Sequence, residues 1–196
     1  VRPPAISIGA WKTAEGEDVQ AHLKELAGRL RNQSRVKVYT GATIDRIDGF
    51  VGNYRTTFHV KGADKPVEFD HGAVIVATGA EYRTPVEYHY GESEAIVTQR
   101  ELEERIAKRK SLGDGSVVMI QCVGSRDPER PWCSRICCAE AVKNAVALKE
   151  QDPDRPVYVL YRDIRTYGLR EEHYRRAREL GVVFIRFDVE QKPRVE

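Results

Sequence analysis

No apolar run in this sequence approaches the roughly 20 residues that a membrane-spanning helix needs, so none is expected. Neither charge is in excess. The 32 Lys and Arg are interleaved with 30 Asp and Glu, for a net charge of +2. A basic face for nucleic acid is therefore not expected. There is no short-period repeat, no low-complexity stretch and no recognisable targeting segment. The five histidines, at 22, 59, 71, 89 and 173, are scattered without metal-ligand spacing and read as surface or packing residues. No thioredoxin-like C-x-x-C occurs, and no nucleophile, acid and base fall into a familiar constellation. The chain does not begin with Met, which suggests a piece of something longer. Cysteine is scarce, at four in 196 residues.

What is present begins with the placement of those four. They fall within one run, Cys122-Val-Gly-Ser-Arg-Asp-Pro-Glu-Arg-Pro-Trp-Cys133-Ser-Arg-Ile-Cys137-Cys138, spaced C-x10-C-x3-C-C. Ser116 to Gln121 before it reads as a buried strand, and Ala139 to Lys149 after it reads as a helix. The sulfurs thus gather in a strand-to-helix turn, where open α/β sheets place ligands. Three chemistries compete. Disulfides need an oxidising compartment and suit small, core-poor domains. Structural zinc favours two short C-x2-4-C knuckles, which the long first gap and the adjacent Cys137 and Cys138 fit poorly. An iron–sulfur cluster takes four thiolates and accepts ligands from a loop and a first helical turn. The spacing fits the cluster best, with inert or dithiol-redox cysteines as the remaining alternative.

Hydrophobic residues make up 41% of the chain, enough to bury a core, and the length suits one large or two small domains. Pro3 and Pro4 argue against an early helix, and residues 1–15 read as irregular. Glu17 to Leu30 predicts an amphipathic helix packed on a sheet, with Val19, Leu23, Leu26 and Leu30 on one face. Arg35 to Thr40 alternates like a strand. Ala42 to Phe50 and Tyr54 to Lys61 read as a hairpin about Gly52-Asn53, and Val67 to Phe69 as a third strand. Ala73 to Ala77 is a continuous apolar run, the pattern of a strand buried on both faces. Thr98 predicts an N-cap, with Glu101 completing a capping box, for a helix over 99–110. After the Cys run come a strand at Val157 to Tyr161, a helix at Arg170 to Leu180 closed by Gly181, and a strand at Val182 to Arg186. This second half is β-α-β-α-β, the order of a parallel sheet, and the natural boundary lies near residue 97.

Taken together, Gly16-Glu-Asp-Val19, Gly49-Phe-Val-Gly-Asn53, Val74-Ile-Val-Ala-Thr-Gly-Ala80, the Cys122 to Cys138 run and Tyr161-Arg-Asp-Ile-Arg165 carry a resemblance. The chain resembles the A-type subunit of heterodisulfide reductase and the related flavoprotein of the Qmo complex of sulfate reducers. The resemblance implies an α/β, thioredoxin-reductase-like fold of the FAD/NAD(P)-binding kind. Residues 1–96 would be the latter part of an FAD domain with a β-meander. Residues 97–196 would be an NAD-domain-like parallel sheet carrying the cysteines. It further implies a cytoplasmic flavin and iron–sulfur oxidoreductase that passes electrons between FAD and [4Fe-4S] clusters. Its partners would be the other subunits of a heterodisulfide-reductase-like or Qmo-like complex. By the same resemblance, Cys122, Cys133, Cys137 and Cys138 ligate a [4Fe-4S] cluster, and Ile44, Thr78 and Gly79 remain from an FAD site.

The sequence departs from that pattern in two places. The Gly-x-Gly-x-x-Gly loop that cradles the FAD pyrophosphate is absent, so FAD is expected in the complete parent and not necessarily on this chain alone. The NAD-like half lacks its own glycine fingerprint as well. Cysteines and Trp132 stand where the phosphate cradle would be, so no NAD(P) binding is expected. Arg126, Arg130 and Arg135 either stabilise the reduced cluster or pair with Asp127 and Glu129. Trp132 either shields the cluster or packs. Tyr161 to Arg165 would cover the cluster or meet a partner. The alternative to the electron-transfer reading is a zinc-stabilised interaction module, and a Cys137–Cys138 dithiol reductase is a weaker third.

Overall fold

The computed structural model describes residues 11–13, 15–79 and 81–196. The prolines at 3 and 4, and Ala80 of the Val74 to Ala80 motif, lie outside the described residues. The chain is α/β, with one antiparallel and one parallel three-stranded sheet. Its described residues divide into two compact units, one of residues 23–83 and the other of residues 84–196 together with the described part of 11–22.

Helix α1 runs from Val19 to Arg31, close to the predicted span. None of its residues is buried; Leu23 and Leu26 are half-buried, whereas Leu30 is 50% exposed. The packed helix expected here therefore has only a partly covered apolar face.

In the first unit, β1 (Ala42–Phe50), β2 (Asn53–Val60) and β3 (Val67–His71) form an antiparallel meander with β2 in the centre. Alternation along β2 buries Thr56 and Phe58 on one face, and Phe58 meets Tyr39 and Phe69 edge-on at 4.9 and 6.0 Å. The β1–β2 register shifts between Ile44 and Arg46, a bulge at Asp45. The hairpin needs glycine at position 49. Its φ is +100°, and a Cβ there would stand 2.1 Å from the Asn53 carbonyl oxygen.

Two expected strands do not form. Over 35–40 the backbone makes no ladder, and Val36, Val38 and Tyr39 are 41–57% exposed. The run 73–77 is also irregular, with Ile75 90% and Val76 80% exposed. Both segments have strand-like patterns, but a strand exists only through its neighbours. Among the described residues no strand lies alongside either segment to accept its backbone groups.

The second unit builds β4 (Val117–Ile120), β5 (Val157–Tyr161) and β6 (Val183–Arg186) into a parallel sheet of that order. Its helices are α2 (Gln99–Ala107), α3 (Cys137–Gln151) and α4 (Glu171–Glu179), the last preceded by a single 3-10 turn at Gly168–Arg170. The predicted capping box opens α2. Glu101 N–H donates to Thr98 Oγ1 at 3.3 Å, and Thr98 N–H donates to the Glu101 carboxylate at 2.7 Å. Ala141, Ala145 and Ala177 have no exposed surface, so small side chains let α3 and α4 approach the core closely. Leu148, Val142, Val157 and Val159 are fully buried there. Each such aliphatic side chain contributes about 1.5–3 kcal/mol. The far face of the sheet is open, with Val118 53% exposed, so the strand expected to be buried over Ser116 to Gln121 is covered on one face.

Helix α3 ends where predicted, at the Asp152 to Pro156 break. Lys149 Nζ donates to the Pro153 and Arg155 carbonyls and closes the helix C-terminus. Arg155 reaches back to the Gly113 and Gly115 carbonyls at 2.9 and 3.0 Å. Strand β4 is thereby fixed in position beside β5. In a parallel pair, the loops leaving both C-terminal ends are neighbours. Those loops are 121–136 and 162–167.

Candidate metal centre

The ladder continues one residue past β4, where Gln121 N–H donates to the Leu160 carbonyl at 2.9 Å. The chain then turns abruptly. Cys122, Gly124 and Arg126 all have left-handed backbones, with φ of +62°, +57° and +59°. For a non-glycine residue this conformation is strained, and such strain gathers at functional sites. Asp127 braces the loop tip: its N–H donates to the Arg130 carbonyl, and its carboxylate accepts the Arg130 N–H at 2.7 Å. Arg135, at φ +61°, turns its own N–H onto Cys133 Sγ at 3.3 Å.

All four cysteines are free, with Cys138 buried and the others half-buried. Cys122, Cys137 and Cys138 are drawn together. Cys137 is held down to about 6, first by a hydrogen bond from the Cys138 thiol, then by the Ser134 hydroxyl and the Cys122 and Cys138 backbone N–H groups. Its partner Cys138 is correspondingly pushed up, by that shared proton and by burial. Burial pushes the Cys122 thiol up, and the Arg126 guanidinium, 3.7 Å away, opposes the effect. The Cys138 sulfur also lies 3.6 Å from the Asp163 carbonyl oxygen.

Two features suit a negatively charged group held by these sulfurs. Helix α3 starts at Cys137 with no side-chain cap, so its first-turn N–H groups and the positive end of its dipole face the cysteines. Arg126 stands beside Cys122, and its Nη2 lies 2.6 Å from Asp163 Oδ2. Arg162 also favours the Cys122 thiolate, and it donates to the Arg126 carbonyl at 2.7 Å. Among the described residues, no three His, Cys, Asp or Glu are set to hold one metal ion. A single zinc needs every sulfur about 2.3 Å from one centre. A cubane offers each thiolate its own iron, so its ligands stand further apart. Soft donors and an uncapped helix N-terminus suit a thiolate-bound cluster.

The sequence-based candidates are distributed as follows. Cys122 follows β4, Cys133 lies in the loop, and Cys137 and Cys138 open α3. Cys133 bonds to the Arg135 N–H, apart from the interactions that join the other three. Arg126 pairs with Asp163 and not with Asp127 or Glu129. Trp132 is 70% exposed, so it is not packed. Tyr161 to Arg165 does come over the cysteines, through Asp163 and the Arg165 N–H that Cys138 accepts. Ile44, in β1, is 61% exposed, and Thr78 and Gly79 lie on the exposed irregular segment after β3, Gly79 with φ +69°. Sequence reasoning missed Asp163 and Arg162 as individual contributors. Their only signal is that they follow β5 at the same sheet edge.

No family model matches the chain. Individual proteins do. The chain is 44% identical over 133 residues to the iron-sulfur A-type subunit of CoB--CoM heterodisulfide reductase from Methanocaldococcus jannaschii, taking in 59% of this chain and 20% of that protein. It is 39% identical over 139 residues to the A-type subunit of the H(2):CoB-CoM heterodisulfide,ferredoxin reductase from Methanothermobacter thermautotrophicus, covering 61% and 21%. A third relative is the A-type subunit of the H(2)/formate:CoB-CoM heterodisulfide,ferredoxin reductase from Methanococcus maripaludis, 40% identical over 147 residues, covering 65% and 22%. The chain thus spans about a fifth of the length of these curated relatives. Identity near 40% sustained over more than 130 residues is homology, and the chain is similar to one segment of these A-type subunits of heterodisulfide reductase.

Proposed function

We propose that this chain is the electron-transfer portion of a flavin and iron–sulfur oxidoreductase, of the kind found as the A-type subunit of heterodisulfide reductase. Its four cysteines, Cys122, Cys133, Cys137 and Cys138, would hold a [4Fe-4S] cluster. The observation that carries this reading is the meeting of Cys122, Cys137 and Cys138 at the uncapped N-terminus of α3, beside Arg126. When bound, such a cluster accepts and releases one electron at a time. The protein's part is to hold it, shield it and set its potential. Cys138 lies buried under Asp163, Arg126 places positive charge beside Cys122, and the α3 dipole favours added negative charge.

In this reading residues 1–96 are the latter part of an FAD domain and residues 97–196 an NAD-domain-like domain, together a partial thioredoxin-reductase-like core. FAD belongs to the complete parent, with Ile44, Thr78 and Gly79 as this chain's contribution. The partners are the other subunits of a cytoplasmic heterodisulfide-reductase-like or Qmo-like complex. Among the described residues, no helix is long and apolar enough to cross a membrane.

The test is metal and acid-labile sulfide analysis of protein purified without oxygen, with EPR after dithionite reduction. About four irons and four sulfides per chain, with a reducible paramagnetic signal, is the expected result. Stoichiometric zinc without sulfide would replace this reading with a structural metal module. Absence of any metal after reconstitution would remove the cluster assignment.

A further inference from the structure

Gln121, immediately before Cys122, is 2% exposed, and its side-chain Nε2 has no hydrogen-bond partner among the described residues. Its backbone N–H is used, donating to the Leu160 carbonyl, so the residue is held in the sheet. Side chains two apart on a strand share a face. Gln121 therefore points to the same side as Met119, which is buried in the core beneath α3. Helix α3 begins on that side with Cys137 and Cys138. A buried amide N–H without an acceptor is costly, and in native proteins an orphan of this kind calls for an explanation. A thiolate-bound cluster supplies one, because its sulfurs are negatively charged acceptors.

We propose that Gln121 Nε2 donates a hydrogen bond to a sulfur of the cluster and thereby raises its reduction potential. The inference rests on the cluster reading above. A neutral donor stabilises the cluster in both oxidation states, and more so in the reduced, more negative one. Replacing glutamine by an apolar side chain of similar size removes the donor without adding charge. It therefore shifts the equilibrium toward the oxidised cluster.

The experiment compares anaerobically prepared wild type, Gln121→Met and Gln121→Leu. Iron and sulfide content is measured first, then the midpoint potential by EPR-monitored redox titration. A wild type labelled with 15N in the glutamine side-chain amide is examined in parallel by pulsed EPR. Of the six glutamines, Gln121 is the one that is buried and adjoins a cysteine in sequence, so a strong label coupling reports it. The expected result is a full cluster in all three proteins and a tenfold shift toward the oxidised form in both variants. That shift equals about 59 mV for one electron. A 15N coupling is expected in the wild type. A full cluster with unchanged potential would overturn the inference while leaving the cluster reading intact. Should both variants lose the cluster, the wild-type coupling decides alone: present, it supports the donor; absent, it removes it. A wild type without iron or sulfide would overturn both.

Discussion

Arg126 Nη2 lies 2.6 Å from Asp163 Oδ2, and Arg126 Nη1 lies 3.7 Å from Cys122 Sγ. One mostly buried guanidinium thus ties the cysteine loop to the loop after β5 and places its charge against a sulfur. Replacing Arg126 with Ala removes both links. If the cysteines hold a cluster, the midpoint potential falls, because a positive charge that favoured the reduced form is gone. The matching Asp163→Asn change leaves the charge on Arg126 and is expected to move the potential the opposite way. Equal potentials in the two variants would dissociate the pair from the cluster.

Asp163 also predicts a pH dependence. The Arg126 hydrogen bond holds its carboxyl below the ordinary value. A group whose folded-state pKa is depressed contributes stability that is present above its unfolded pKa and lost as pH falls through the folded one. Asp163 is about half exposed, so solvent screening limits the contribution to roughly 0.5–1 kcal/mol. Urea unfolding should show Asp163→Asn less stable than wild type by that amount at pH 7, with the difference shrinking as pH falls below the ordinary carboxylate range.

Much of this arrangement is legible in the sequence. The C-x10-C-x3-C-C run, the flanking strand and helix, the capping box at Thr98 and Glu101 and the parallel order of the second half are all local patterns. The β-meander is equally plain, because Gly49 and Gly52 mark its turn. What a local pattern does not carry is pairing. Arg35 to Thr40 and Ala73 to Ala77 have good strand patterns and no neighbouring strand among the described residues, so they stay irregular. Likewise, the partner of Arg126 is Asp163, distant in sequence, and not the adjacent Asp127 or Glu129. Charge neighbours in a loop are poor guides when the loop is folded onto another one.

Glu103 offers a separate test of the second unit. It is 4% exposed, and one of its oxygens accepts from the Trp11 N–H at 2.8 Å, the Lys12 N–H at 3.2 Å and Lys143 Nζ at 2.8 Å. It is the only described carboxylate tying 11–12 to α2. Glu103→Ala leaves Lys143 without its close partner and two N–H groups without an acceptor. A loss of about 3 kcal/mol is expected. Hydrogen exchange should show the Trp11 and Lys12 amides losing protection while the β5 amides keep theirs. Unchanged exchange at Trp11 would mean that the segment is held by other contacts.

Gly49→Ala tests the meander. Besides the positive φ, the new Cβ would collide with the Asn53 carbonyl, a backbone atom that cannot swing aside. Left-handed strain alone costs about 1–3 kcal/mol, and the clash adds to it. A cooperative loss of the β1–β3 signal is expected in thermal unfolding, with the α2–α4 unit retaining its helical signal. Gly28→Ala, in α1 with open space around its Cβ position, is the control and should stabilise slightly.

The cysteines differ before any metal is added. Cys137 is held to about 6 by the Cys138 thiol that donates to it, so above that pH it carries the thiolate; Cys138 is pushed up by the same bond, and Cys122 by burial. Alkylation follows the thiolate. In metal-free, reduced protein, the rate of iodoacetamide reaction at Cys137 should rise through about pH 6 and then level off. Reaction at Cys122 should continue to rise above about pH 8.5, the free-thiol value. Tryptic peptides separate these sites, since Arg126 and Arg135 divide Cys122, Cys133 and the Cys137–Cys138 pair. Cys138→Ala tests the cause. It removes the thiol that donates to Cys137, and the Cys137 midpoint should move upward toward the free-thiol range. A profile for Cys137 unchanged by that substitution would mean that the α3 N-terminus and the Ser134 hydroxyl, rather than the neighbouring thiol, hold the thiolate in place.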